Sequence, residues 1–272
     1  MKLGIDHNLG ALVKALEATP GQLRFAGAVA LTKTGQDVRS GIRDEMSRVF
    51  DRPTPYALNG LMLRPATKDR LEAEVWVKDD PSGSGTPADK FLGPEIFGGA
   101  RSLKGFERAL QRIRVLPQGM FCTPGPAAEI DSYGNMSRSQ IVQLMSYLSA
   151  FEEQGFRANA TARTRASRWK GNAKKGVRGF EYFVLGRQEG KLIPGIYKRM
   201  NYSGAELGRA SHLARGAAKA VVFFVRKPAY QKRLDFFRIA NAIAEARLPI
   251  NYEEALKRAM ATAILKQQGS LF

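Results

Sequence analysis

The chain carries one cysteine, Cys122, in 272 residues. An intrachain disulfide is therefore excluded, and a reducing compartment is the simplest reading. Histidine is almost as scarce. His7 and His212 are the only two, and neither has a Cys or His at ligand spacing, so no metal-site motif is present. Long apolar runs are missing as well. No stretch approaches the roughly 18 apolar residues of a membrane-spanning helix. The longest apolar cluster, Ala220–Val225, has the length of a strand. The start, Met1–His7, lacks the apolar core of a signal peptide, so no leader is expected.

Catalytic motifs are absent too. Cys122 lies in a Pro/Gly-rich loop without a nucleophile signature and reads as a structural or incidental cysteine. The carboxylates are scattered, and Glu152 and Glu153 read as a solvated helix end. Gly98, Gly99 and Gly105 match neither a phosphate-binding loop nor a dinucleotide fingerprint. Composition thus argues against an enzyme, and no cofactor is expected. What is present is a hydrophobic fraction of 44%, enough for a packed core, and a net charge of +18 with a pI of about 10.2. Such an excess speaks to partners: nucleic acid, an anionic membrane or an acidic protein surface.

The charge has a focus. No Asp or Glu occurs between Glu153 and Glu181, whereas Arg157, Arg163, Arg165, Arg168, Lys170, Lys174, Lys175 and Arg178 all do. The rest of this stretch is small and polar, apart from Trp169 and a few others, so it is expected to be an exposed arm that cannot fold alone. Three readings are open for it: a solvated loop, a contact with acidic protein surfaces, or sequence-independent binding to phosphate backbones. Trp169 suits stacking on a base or anchoring in a protein pocket.

Pattern along the chain predicts an α+β fold. Thr19, Pro20 and Gln22 read as a helix start. The helix runs to Phe50, with Val38, Ile42, Met46 and Val49 at helical spacing. Small residues from Ala26 to Gly35 suit a close neighbour, and Gly35 is a candidate break. Leu61–Arg64 and the alternating Leu71–Lys78 predict a hairpin. Asp79–Pro94 reads as a long loop, Leu103–Val115 as a short helix and Pro117–Asn135 as irregular. Ser137 opens a helix expected to reach Phe151 and to stop at Gly155. Strands are expected at Phe180–Arg187, Lys191–Lys198 and Ala220–Arg226. Pro228 ends the last strand, and helices are expected at Gln231–Ala246 and Asn251–Gln268, the second stopping at Gly269. The sum is one α+β domain: a long N-terminal helix packed on a small, mostly antiparallel sheet, then C-terminal helices. Loop insertions fall at about 79–135, and the basic arm at about 157–179.

Three pieces carry a resemblance. The first is the segment Leu12–Phe50, with its Phe25-Ala26-Gly27-Ala28-Val29-Ala30-Leu31 core. The second is Phe50-Asp51-Arg52-Pro53-Thr54-Pro55-Tyr56, followed by a strand and Ala66-Thr67-Lys68. The third is Leu192-Ile193-Pro194-Gly195-Ile196-Tyr197-Lys198-Arg199. Together they resemble tail-completion and minor tail protein Z-like head–tail joining proteins of double-stranded DNA bacteriophages. The resemblance implies a non-enzymatic part of a virion neck or tail, made in the cytoplasm of a bacterial host. It implies a homo-oligomeric ring around the DNA channel, a hexamer ahead of a dodecamer. Its neighbours would be head–tail connector, portal-adaptor or tail-tube proteins, with contact to DNA open and no membrane. A strongly positive lumen would retard passing DNA, so the arm is expected to meet acidic surfaces of adjacent rings. The competing class is a sequence-independent nucleic-acid-binding protein of packaging or nucleoid type.

Overall fold

A computed structural model describes residues 21–80, 86–152, 158–209 and 218–269. In chain order, the helices are α1 (Gly21–Val49), α2 (Pro55–Leu58), α3 (Ala88–Phe97), α4 (Gly105–Arg112), α5 (Arg138–Tyr147), α6 (Ala162–Lys170), α7 (Gly204–Arg209) and α8 (Phe236–Gly269). The strands are β1 (Leu61–Arg64), β2 (Glu74–Val77), β3 (Gly99–Ala100), β4 (Met120–Pro124), β5 (Phe180–Leu185), β6 (Gly195–Met200), β7 (Ala218–Arg226) and β8 (Ala229–Tyr230). The fold is α+β, with every paired strand of the hairpin and main sheet antiparallel. The chain forms two compact units. Unit 1 joins the residues up to Gly99 to those from Tyr230 onward, and unit 2 is Ala100–Ala229.

Unit 1 is built on α1 and α8, which run antiparallel: Lys33 meets Glu254, whereas Gly41 lies against Ile243. Small residues allow the close approach. Ala26 and Ala30 pack on Ala255 and Ala259, and Gly41 has no Cβ to strike the Ile243 side chain. Gly35 does not break the helix. A Cβ there would lie 2.7 Å from Leu63 Cδ1, so the glycine makes room for the hairpin. Val38, Ile42 and Met46 are buried at helical spacing. They pack with Leu61, Val75 and Val77 of the hairpin, Leu92 and Ile96 of α3, and Phe236 and Ala240 of α8, with Val49 at the edge. The expected hairpin is present, with Leu61 opposite Val77 and Arg64 opposite Glu74. The expected helix start at Thr19 and Pro20 lies outside the described residues.

Two further expectations in this unit change. The loop expected over Asp79–Pro94 contains the start of α3, because Ala88, Leu92 and Ile96 recur every four residues and bury together. That apolar spacing outweighs the Pro/Gly composition. The two expected C-terminal helices are one, α8, which continues through Pro249. A proline inside a helix removes one hydrogen bond and costs about 3 kcal/mol. Here Pro249 is exposed, so its ring does not have to fit a packed surface. Ala240, Ala244 and Leu248 before it, and Asn251, Ala255 and Ala259 after it, are all buried. Packing on both sides holds the helix across the defect. One buried contact between the two helices is polar. Asn251 is 1% exposed, and its Nδ2 donates to Thr34 Oγ1 (3.0 Å) and Asp37 Oδ2 (2.8 Å). Asp37 also accepts from Arg247 Nε (3.1 Å). We expect Asn251→Ala to cost about 1 kcal/mol, since the buried Thr34 hydroxyl loses its partner while Asp37 keeps Arg247. Urea melts of the variant check this, and an unchanged midpoint would remove Asn251 as a register lock.

Unit 2 is a four-stranded sheet in the order β4-β7-β6-β5. Tyr182, Ile196, Val222 and Phe224 face Leu110, Leu116, Leu144 and Tyr147 from α4, α5 and the turn after α4. Phe183, Tyr197, Ala220 and Phe223 pack together elsewhere on the sheet, with the Phe183 and Tyr197 rings stacked at 5.5 Å. Three expectations are corrected. The stretch Pro117–Asn135 contains a strand, β4, whose partner β7 is about a hundred residues away. Local composition carries no trace of such a pairing. Strand β6 starts at Gly195, not Lys191, because residues 189–192 form a turn closed by Glu189 and Leu192. Helix α5 stops at Tyr147 rather than Phe151, with Ser149 at φ 59 just after it. Its expected cap is present: Ser137 accepts from Gln140 N.

Candidate polyanion and partner interface

The basic stretch is not a loose arm. Thr161 caps α6 by accepting from Thr164 N at 3.2 Å, and Gly171 ends it at φ 69. A single 3-10 turn, Ala173–Lys175, follows. Asn172 and Val177 then exchange backbone hydrogen bonds of 2.8 and 2.9 Å, closing the turn. Gly179 brings the chain back against the helix end, where a Cβ would lie 1.9 Å from Trp169 O. Asn201 clamps both sides, donating from Nδ2 to Trp169 O (2.8 Å) and from its backbone N to Gly179 O (2.8 Å). Apolar content led to the expectation of an arm. Glycine contacts and backbone hydrogen bonds instead give the stretch a fixed shape.

Helical geometry sorts the cations. Residues seven apart lie on one side of a helix, and residues three or four apart share a side. Arg165, Arg168 and Trp169 are half-buried, and α6 packs on β5. Arg165 donates from Nη2 to Ser149 Oγ (2.8 Å) and from Nε to Ala160 O (3.2 Å), and it lies over the Tyr147 ring. Arg168 Nη1 is buried without a hydrogen-bond partner among the described residues. The Trp169 ring lies under the Arg199 guanidinium. Arg178 is spent as well. It pairs with Glu206 at 2.7 Å and covers the Tyr202 ring at 4.4 Å. Arg178, together with the backbone and hydroxyl donors of Ser203, holds the Glu206 carboxyl down at about 2.

Four side chains are left over: Arg163 and Lys170, seven residues apart on α6, and Lys174 and Lys175 on the turn. All four are exposed. None of these side chains has an ion pair or hydrogen bond among the described residues. Among the described residues, Glu181 is held by Arg199 and Glu206 by Arg178. Between Arg163 and Lys170 the same side carries Ala166 and Ser167, both exposed and small. Arg157 lies outside the described residues. The imbalance extends over the whole unit. Unit 2 holds 23 Lys and Arg against 8 Asp and Glu, a formal +15 of the +18, and unit 1 holds 20 against 17.

A second constellation escaped the sequence reading. Glu107, three residues after Lys104 and in the first turn of α4, is fully buried. It accepts from Arg101 Nη1 (2.7 Å) and Nη2 (2.5 Å), from Lys104 N (2.7 Å) and from Cys122 N (2.7 Å). Arg101 also lies over the Phe121 ring. Burial, with the Glu107 charge, pushes the Cys122 thiol up to about 12, so it stays protonated and unreactive. Burial and Arg101 lower the Lys104 ammonium. The arrangement ties the start of α4 to β4. The signal for it in the sequence is a Glu at the third position of a helix, a capping pattern.

Unit 1 has one further surface of interest. An open groove of about 520 Å³ lies between α1 and the segment Pro65–Lys68. Phe25 and Val29 line it and remain exposed at 47% and 36%. Lys68 reaches over the Phe25 ring at 5.1 Å. Among the described residues there is no cluster of three His, Cys, Asp or Glu side chains able to hold a metal ion. Among them, too, no helix is long and apolar enough to cross a membrane. His7 and His212 lie outside them. Comparison with protein-family models, curated proteins and solved structures finds no match.

Proposed function

We propose that this chain is a structural component of a phage neck or tail. In this reading it is a non-enzymatic tail-completion or connector subunit that assembles into a ring around the DNA channel. One observation carries the proposal. Two of the three stretches that resemble head–tail joining proteins, Leu12–Phe50 and the Ala66-Thr67-Lys68 segment, supply the walls of the groove in unit 1. They are some forty residues apart in sequence, yet they meet on an exposed apolar surface. An exposed apolar patch rimmed by polar groups is the usual mark of an association surface. The occupant assigned here is a neighbouring copy of the same chain, because a ring repeats one contact from subunit to subunit.

The test is assembly. Wild-type protein is expected to show rings of fixed symmetry in negative-stain images and a single heavy species in sedimentation. Val29→Asp places a charge in the groove at an already exposed position, so the fold should keep its stability within about 0.5 kcal/mol. Assembly should be lost, with protomers alone remaining. Monomeric wild-type protein, or a Val29→Asp variant that still forms rings, would overturn the assignment of the groove.

A further inference from the structure

The geometry points to the exposed side of α6 and its following turn as a site for the phosphodiester backbone of duplex DNA, bound without regard to sequence through Arg163, Lys170, Lys174 and Lys175. The inference rests on the ring reading for its setting, since a subunit encircling a channel meets DNA as its polyanion. Its physical support is separate.

Three features carry it. First, the fold spends Arg165 and Arg178 on internal contacts and half-buries Arg168, but leaves these four exposed cations without counter-charge among the described residues. Uncompensated cations on a fixed scaffold are what a phosphate row requires. Second, the spaces between the α6 cations are filled by Ala166 and Ser167. A protein partner would be gripped through aromatic or large aliphatic anchors at the centre of the contact, with charges at its rim. Between the α6 cations there is no such anchor, and the turn that follows offers one exposed apolar side chain, Val177. Small side chains instead let a backbone come close, and phosphate contacts ask for nothing more. Third, the formal +15 of unit 2 surrounds this surface with a long-range field of the same sign, which steers a polyanion toward it. An acidic partner ring, expected from sequence, loses ground on the second feature.

The half-buried Trp169 is not offered to a base. It sits under Arg199 with its carbonyl clamped by Asn201. The site therefore reads charge and spacing alone.

The experiment uses the full chain and a random 30-base-pair duplex followed by fluorescence anisotropy over a salt series. A variant with Arg163, Lys170, Lys174 and Lys175 all changed to Ser is compared with one that loses equal charge elsewhere on unit 2, at Arg138, Arg187, Lys191 and Lys227. Each phosphate contact contributes about 0.9 to the log–log salt slope. The first variant should therefore lower the slope by about 3.6, so that wild type loses on the order of 100-fold more affinity than the variant between about 50 and 200 mM salt. The control should change the slope by less than about 1. Equal losses in both variants would mean diffuse attraction and overturn the site, as would an unchanged slope in the first. Polyglutamate that displaces the duplex at equal charge would assign the surface to an acidic protein and overturn it too. Should the fourfold variant lose its native near-UV dichroism, Lys174→Gln with Lys175→Gln decides instead, through an expected slope loss of about 1.8. Sedimentation of the same samples separates the two proposals. Rings that persist in a DNA-binding-deficient variant support both, and duplex binding by a wild-type protein without rings removes only the ring.

Discussion

Replacing Glu107 with alanine is expected to lower the stability of unit 2 by about 3–5 kcal/mol, the range seen when one member of a buried ion pair is removed. The size follows from what remains. Arg101 would keep its charge, with only 12% of its side chain exposed, and would lose both of its short bonds to the carboxylate. The backbone N–H groups of Lys104 and Cys122 would lose their acceptor. Glu107→Gln keeps the shape and one acceptor, so it should cost less. It also tests the charge. Burial alone raises the Glu107 pKa, but Arg101 and the two backbone donors outweigh it and hold the carboxyl below its usual 4.5. A carboxyl depressed in the folded state contributes stability above its unfolded pKa, and that contribution is lost as pH falls through the folded value. The gap between wild type and Glu107→Gln should thus be full at pH 7 and shrink below about pH 4. Urea melts at both pH values measure it. A gap that does not narrow in acid would show that shape, not charge, is what Glu107 supplies.

The second large effect lies at Gly195, where the expected cost of alanine is about 3 kcal/mol, the upper end for forced overpacking. A Cβ at this position would stand 2.3 Å from Val222 O on the neighbouring strand. Neither side can yield cheaply, because both are backbone. The pairing is also irregular here: Ile196 faces Val222 and Tyr197 faces Ala220, so Val221 is an extra residue on β7. Close approach and bulge go together, and Gly195 makes the approach possible. The control is Gly186, just past β5, where a Cβ would meet nothing within 4 Å. Gly186→Ala should change stability by less than about 0.5 kcal/mol. Thermal melts of the two variants side by side decide it, and similar melting points would show that the strands separate without loss.

Much of this could be read in the sequence, and the exceptions have causes. Where burial repeats at a local period, the reading worked. Val38, Ile42 and Met46 announce the buried side of α1, and the alternation over Leu71–Lys78 announces a hairpin with Leu61–Arg64, of which Glu74–Val77 forms the paired strand. The capping serine of α5 was equally visible. Where the deciding partner is distant, the reading failed. β4 exists because β7 pairs with it, and α8 survives Pro249 because α1 packs on both sides of the proline. At the candidate site, the identity of the cations was plain from the run between Glu153 and Glu181. Their division into bound and free was not. That division depends on Ser149, Asn201 and Glu206, which lie before or after the run and are brought to it by folding. The Glu107 cluster was hidden for the same reason, since Arg101 and Cys122 flank it at a distance.

The pairing of α1 with α8 also sets an order of events during synthesis. About 190 residues separate the end of α1 from the start of α8. At roughly 5–20 residues per second, a ribosome needs on the order of 10–40 s to cover that interval. For all that time Ile42, Met46 and the alanines of α1 have no α8 to cover them. Unit 2 is continuous in the chain and completes its own sheet with β7 before α8 is made. The nested unit therefore has what it needs to fold first, and the long helix made first is closed over last. The nascent chain carries α1 without its α8 cover through most of its translation, an interval in which chaperones have more to hold than at any time after release.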